Sequence, residues 1–127
     1  MIQRLIAIKI LAAVLLLNGC AGIRPGNDPF VVNAEKSTTV AVEAVNTFLK
    51  FEYDNQALVK SKAPVIHNYA YYLRANAPLL ISDATTLITT YKNNRTPANK
   101  ANLQTALAVL SKVVSQITQY TSQIKGL

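Results

Sequence analysis

One cysteine, one histidine and six carboxylates are the side chains in this 127-residue chain on which chemistry could rest. Cys20 has no second thiol to pair with, so a disulfide within the chain is excluded. His67 would need a nucleophile or carboxylate partner to act as a base, or further ligands at helical spacing to hold a metal. A Glu-x-x-His pair would put Glu where Pro64 stands, and the segment's start offers no partner, so His67 reads as a polar residue near an interface or loop. Glu35 and Glu43 lie about 80° apart around a helix at about 100° per residue, and Glu43 and Glu52 are roughly opposed. Glu52 and Asp54, within FEYDN, read as part of a solvated helix face, with burial of Glu52 beside Phe48 as the alternative. No convergent catalytic set emerges; neither a metal nor a cofactor is expected, and the chain reads as non-enzymatic.

Recognition is better represented than catalysis. Tyr69 and Tyr72, in NYAYYLR, are neighbours on one helical face whose rings could stack on a sugar or an apolar partner, and Arg74 could add a contact to an anion. Their simpler role is to line the edge of a core with the hydroxyls outward. Asn93, Asn94, Arg95, Thr96, Asn99, Lys100 and Asn102 form an amide-rich corner that reads as loop and cap chemistry, with a recognition tip as the functional alternative. The candidate binding residues are therefore Tyr69, Tyr72, Arg74 and Arg95.

The context of Cys20 is more specific. Arg4 and Lys9 supply positive charge ahead of an uninterrupted apolar run over residues 10–17. Eight apolar residues are too few to span a bilayer, which takes about 20 at 1.5 Å each, so the run reads as the core of a cleavable export signal. Leu17, Asn18, Gly19 and Cys20 resemble the lipobox of bacterial lipoproteins: an aliphatic residue, a variable one, a small one, then cysteine. The resemblance covers about twenty residues and implies a diacylglyceryl group on the Cys20 sulfur, cleavage just before it, and acylation of the new amine. One acyl chain holds a protein to a membrane marginally, whereas two or three anchor it. Ala21, where the family's sorting rule would read Asp as retention in the inner membrane, implies the outer membrane of a two-membrane envelope.

Cleavage after residue 19 leaves 108 residues, enough for one small domain, and lowers the formal net charge from +7 to +5. A mildly basic surface suits anionic headgroups or acidic envelope polymers. Nucleic acid is not an expected partner, because no Arg-rich cluster is present.

The elements that must position these residues are helical. Residues 20–28 hold two glycines and a proline and read as a flexible tether. No glycine follows between Gly26 and Gly126, which argues against tight hairpins, phosphate-cradling loops and nucleophile elbows. Asp28-Pro29 and Thr96-Pro97 each pair a capping side chain with proline at the first helical position, and Pro64 marks a third start. Three apolar stripes follow. Ala34, Ala41, Val45, Phe48 and Phe51 or Glu52 form the first, widened by Val40, Ala44 and Phe51; Ile66, Ala70, Leu73, Ala77, Leu80, Ala84, Leu87 and Tyr91 the second; Leu103, Leu107, Leu110, Val114, Ile117 and Ile124 the third. The spacing predicts an all-α domain over residues 29–127 with helices at 29–59, 64–93 and 97–125. Short loops favour an antiparallel, up-down-up three-helix bundle about 45 Å long. Pro78 predicts a kink or one-turn break over residues 74–77.

The functional expectation is a lipid-anchored envelope protein that binds another envelope protein or polymer, facing the periplasm or the surface. The alternative is a phage- or prophage-encoded lipoprotein that blocks a surface receptor and excludes further infection. It rests on a general similarity of DPFVVNAEK, FLKFEYDN and NRTPANKANLQTALAVL to short uncharacterised proteins of bacterial and phage genomes.

Overall fold

The computed structural model describes residues 28–127, and all of its regular structure is helical. The expected leader, Cys20 and the expected tether up to residue 27 lie outside the described residues. Four helices follow in order: α1 (Pro29–Asp54), α2 (Gln56–Lys62), α3 (Pro64–Asn93) and α4 (Pro97–Lys125).

The start signals act as their chemistry requires. Asp28 accepts the Phe30 amide at 2.9 Å with Pro29 in the first turn. Thr96 Oγ1 accepts the Asn99 amide at 3.1 Å with Pro97 in the first turn. Each satisfies an amide that a helix start otherwise leaves without a partner. Ala63, ahead of Pro64, has no side-chain cap; its φ of −141° and ψ of 61° keep it out of the helical region, as a residue before proline prefers.

Two expectations are corrected. The first segment does not run as one helix to residue 59: it stops at Asp54, and α2 forms a separate fourth helix. Asn55 makes the break. Its side-chain amide donates to the Phe51 carbonyl at 2.8 Å, competing with the backbone for the helix's last acceptors. The turn aims Val59 inward, where it is wholly buried among residues of α1, α3 and α4. Of the kink or one-turn break expected before Pro78, the break is absent, since α3 continues through it. Pro78 sits on the exposed side of α3, while Leu73, Ala77 and Ala84 are buried on either side and hold the helix in place.

Each of the three long helices packs against the other two, and α2 packs chiefly on α3. The core falls into three groups. Val31 and Ala34 of α1 meet Ile88 and Tyr91 of α3 and Leu103 of α4. Ala41, Ala84 and Leu110 form the middle. Val45 and Phe48 meet Ile66, Ala70, Leu73 and Ala77, with Val113, Ile117 and Ile124 of α4. The groups are thus visited in one order by α1 and α4 and in the reverse order by α3. Most of these positions belong to the apolar stripes; Val113, rather than the half-buried Val114, takes the inner place on α4.

Candidate functional site

Of the two residues that the spacing of the first stripe allows at its end, Phe51 or Glu52, it is Glu52 that is fully buried. It is 0% exposed, not solvated, and its two oxygens are both taken. His67 Nδ1 lies 2.7 Å from Oε1, and Arg74 donates from Nη2 to Oε2. The expectation that His67 has no partner is therefore also corrected. Its partner comes not from its own helix but from the last turn of α1, fifteen residues earlier. Against an ionised carboxylate, which only accepts, the ring would donate from Nδ1. His67 and Arg74 are seven residues apart and share one face of α3, so a single carboxylate reaches both.

This cluster resembles half of a catalytic arrangement, a base oriented by a carboxylate. Among the described residues, however, no hydroxyl or thiol bonds to the second nitrogen of His67, and Arg74 already neutralises Glu52. Every buried polar side-chain atom described has a hydrogen-bond partner. No group of three His, Cys, Asp or Glu side chains is placed to hold a metal among the described residues. What the geometry does is clamp the end of α1 onto α3. Losing Arg74 would leave the buried Glu52 without its cation, a change of the kind that costs about 3–5 kcal/mol. Asp54, two residues on, stays exposed and pairs with Lys50 at 2.7 Å.

The predicted binding residues do not form one surface. Tyr69 turns to the core edge, with its ring 6.1 Å from Phe48, 6.0 Å from Tyr72 and 5.1 Å from Tyr120 between centroids. Burial, then the neighbouring hydroxyls of Tyr72 and Tyr120, hold its proton above the usual tyrosine range. Arg74 is committed to Glu52. Tyr72 stacks on Tyr69 with an interplanar angle of 25° and remains exposed.

Arg95 lies some 23 residues further along the chain, about 35 Å at 1.5 Å per residue, 3.8 Å from Asp28 at the opposite end of α3. There Tyr91 donates to Asp28 Oδ2 at 3.3 Å and meets Phe30 edge-on, and Lys92 pairs with Glu35 at 3.1 Å. Burial, reinforced by the Asp28 charge and hydrogen bond and partly offset by Arg95, raises the Tyr91 hydroxyl pKa. Asn99 donates to the Asn94 carbonyl at 2.7 Å, so the amide-rich corner performs loop and cap chemistry.

Two shallow grooves run between helices. One, about 370 Å³, lies between α3 and α4 and is mainly apolar, with Leu80, Leu87, Ala106 and Val109 around the single carboxylate of Asp83. The other, about 300 Å³, lies between α1 and α3 beside Thr38, Thr39, Thr85 and Thr89. Those four hydroxyls each donate to the carbonyl four residues back in their own helix.

The outer face of α3 is a clearer feature. Val65, Tyr72 and Leu79 are seven residues apart, at successive two-turn intervals, and are 64%, 47% and 64% exposed. The core stripe was the reading available from periodicity; this second stripe on the same helix was hidden by it. Among the described residues no helix is long and apolar enough to cross a membrane. Comparison of the chain with protein-family models, curated proteins and solved structures returned no match.

Proposed function

We propose that this chain is a lipid-anchored, non-enzymatic envelope protein that works as a binding module, with the α3 outer face as its interaction surface. The observation that carries the binding role is the row Val65, Tyr72 and Leu79, large apolar side chains left open to solvent along four turns of one helix. Exposed apolar surface, where it is contiguous, marks contact sites. The buried Glu52 supports the non-enzymatic reading, because both of its oxygens are spent on His67 and Arg74 in holding α1 to α3.

In this reading the three long helices form an antiparallel, up-down-up bundle, supported by the reversed order in which α3 visits the core groups. The tether to Cys20 then leaves from the end where Asp28 meets Tyr91 and Arg95. The anchored end carries the amide-rich corner, and Tyr69, Tyr72 and α2 stand toward the far end. Acyl chains on Cys20 confine the module to a membrane, most simply the outer one, and confinement raises the local concentration of a weak binding surface. The partner is an envelope protein or polymer.

Labelling cells with a radioactive or clickable fatty acid tests the anchor. The parent chain is expected to take label and Cys20→Ala to lose it; label persisting on the variant overturns acylation at Cys20.

A further inference from the structure

The outer face of α3 is chemically self-complementary about Tyr72, and we propose that its occupant is the same face of a second copy, running antiparallel. This rests on reading that face as an interaction surface. Turning α3 end for end about Tyr72 brings Tyr72 onto Tyr72 and Val65 onto Leu79, each seven residues from the centre. The same operation brings Asn68 onto Asn76, each four residues away. Eleven residues beyond the centre lies Asp83; at the other end, just ahead of α3, the last turn of α2 carries Lys60 and Lys62. A twofold interface requires this: residue i touches j, and j touches i.

The matches are of kind as well as position. Val65 and Leu79 are both large, apolar and exposed. Asn76 already donates to the Tyr72 carbonyl at 2.8 Å, which leaves its carbonyl oxygen to accept from Asn68. Stacking on Tyr69 holds the Tyr72 ring in one orientation, so little freedom is lost when a second Tyr72 meets it. Asp83 is the sole carboxylate after Asp54, and it lines up with Val65 on α3, five full turns away. Asp83, Lys60 and Lys62 form no ion pair among the described residues. A second copy supplies each with its opposite charge; a uniformly basic or acidic partner would match only one end. The face spans about 27 Å of helix, which places the contact at the small end of stable interfaces and association in the micromolar range.

Cross-linking the full chain tests register and partner together, in a Cys20→Ala background so that one engineered thiol is present. Under mild oxidation Tyr72→Cys alone is expected to give a covalent dimer. A mixture of Val65→Cys and Leu79→Cys is expected to cross-link at least tenfold more than either alone, and Gln104→Cys on α4 serves as the off-face control. In sedimentation equilibrium of the same background the mass rises toward twice the monomer's with concentration, and Leu79→Asp abolishes the rise. Asp83→Lys weakens the dimer, and combining it with Lys60→Asp and Lys62→Asp restores it.

Leu79→Cys or Val65→Cys linking to itself as well as the mixture does, Gln104→Cys matching Tyr72→Cys, or a mass unchanged by Leu79→Asp would each overturn the proposal. Circular dichroism confirms that each variant is folded, which the exposure of all these positions favours. Absence of self-links leaves the fatty-acid result on Cys20 untouched, and loss of the anchor leaves the cross-links untouched.

Discussion

His67 reaches across from the first turn of α3 to Glu52 in the last turn of α1, Nδ1 to Oε1 at 2.7 Å, and the carboxylate it meets has no exposure to solvent. With Arg74 on the other oxygen, this contact joins two helices at the place where the chain turns through α2.

Removing Arg74 alone should therefore be severe, because Glu52 stays buried without its cation. Arg74→Ala is expected to lower unfolding free energy by about 3–5 kcal/mol in urea titrations. Replacing Glu52, His67 and Arg74 together with apolar residues of similar volume should recover most of that loss. A single variant within about 1 kcal/mol of the parent would show that the clamp contributes little.

Alkaline pH should loosen both ends of the molecule. Tyr69 and Tyr91 hold their protons above the ordinary value of 10.0, chiefly because burial disfavours the tyrosinate. The unfolded chain gives up those protons first, so this contribution is complete below the ordinary value and is lost as pH rises through the raised folded values. Thermal melts between pH 8 and 12, read beside tyrosinate absorbance, should show Tm falling above about pH 10 and the fall shrinking in Tyr91→Phe. A fall of equal size in Tyr69→Phe/Tyr91→Phe would assign it to other groups.

Pro78→Ala is expected to stabilise the fold by about 1–3 kcal/mol. It restores an amide to the Arg74 carbonyl within a helix that already continues through the site, and the side chain it removes is exposed. Loss of stability on chemical denaturation would mean that proline contributes packing or unfolded-state restriction outweighing the hydrogen bond.

The cap at the start of α4 should be worth about 1 kcal/mol. Thr96→Ala removes the acceptor for the Asn99 amide and should lower Tm by several degrees, whereas Thr105→Ala, whose hydroxyl returns to its own helix on the exposed side, should be near neutral. Equal effects at the two sites would place the Thr96 contribution outside its capping bond.

Helical class, three of the four helix starts and most of the core were legible from residue order, because they depend on neighbours three or four positions away. Asp28-Pro29 and Thr96-Pro97 carry their caps within the same few residues, and Ile66, Ala70, Leu73 and Ala77 announce a buried stripe by spacing alone. The break at Asn55 was not, although an Asp-Asn pair there is a local signal for a helix end.

Glu52 falls on the inner face of α1 by phase, in line with Val45 and Phe48, but a lone carboxylate at such a place is ordinarily solvated. Its burial depends on His67 and Arg74, fifteen and twenty-two residues away, arriving from another helix. Residue order thus determined where helices begin and which sides turn inward, since those are contests between near neighbours. Only the tertiary structure decided which charges could go inside and which apolar residues stay out, because the energy of a buried charge is set by groups the chain brings to it from elsewhere.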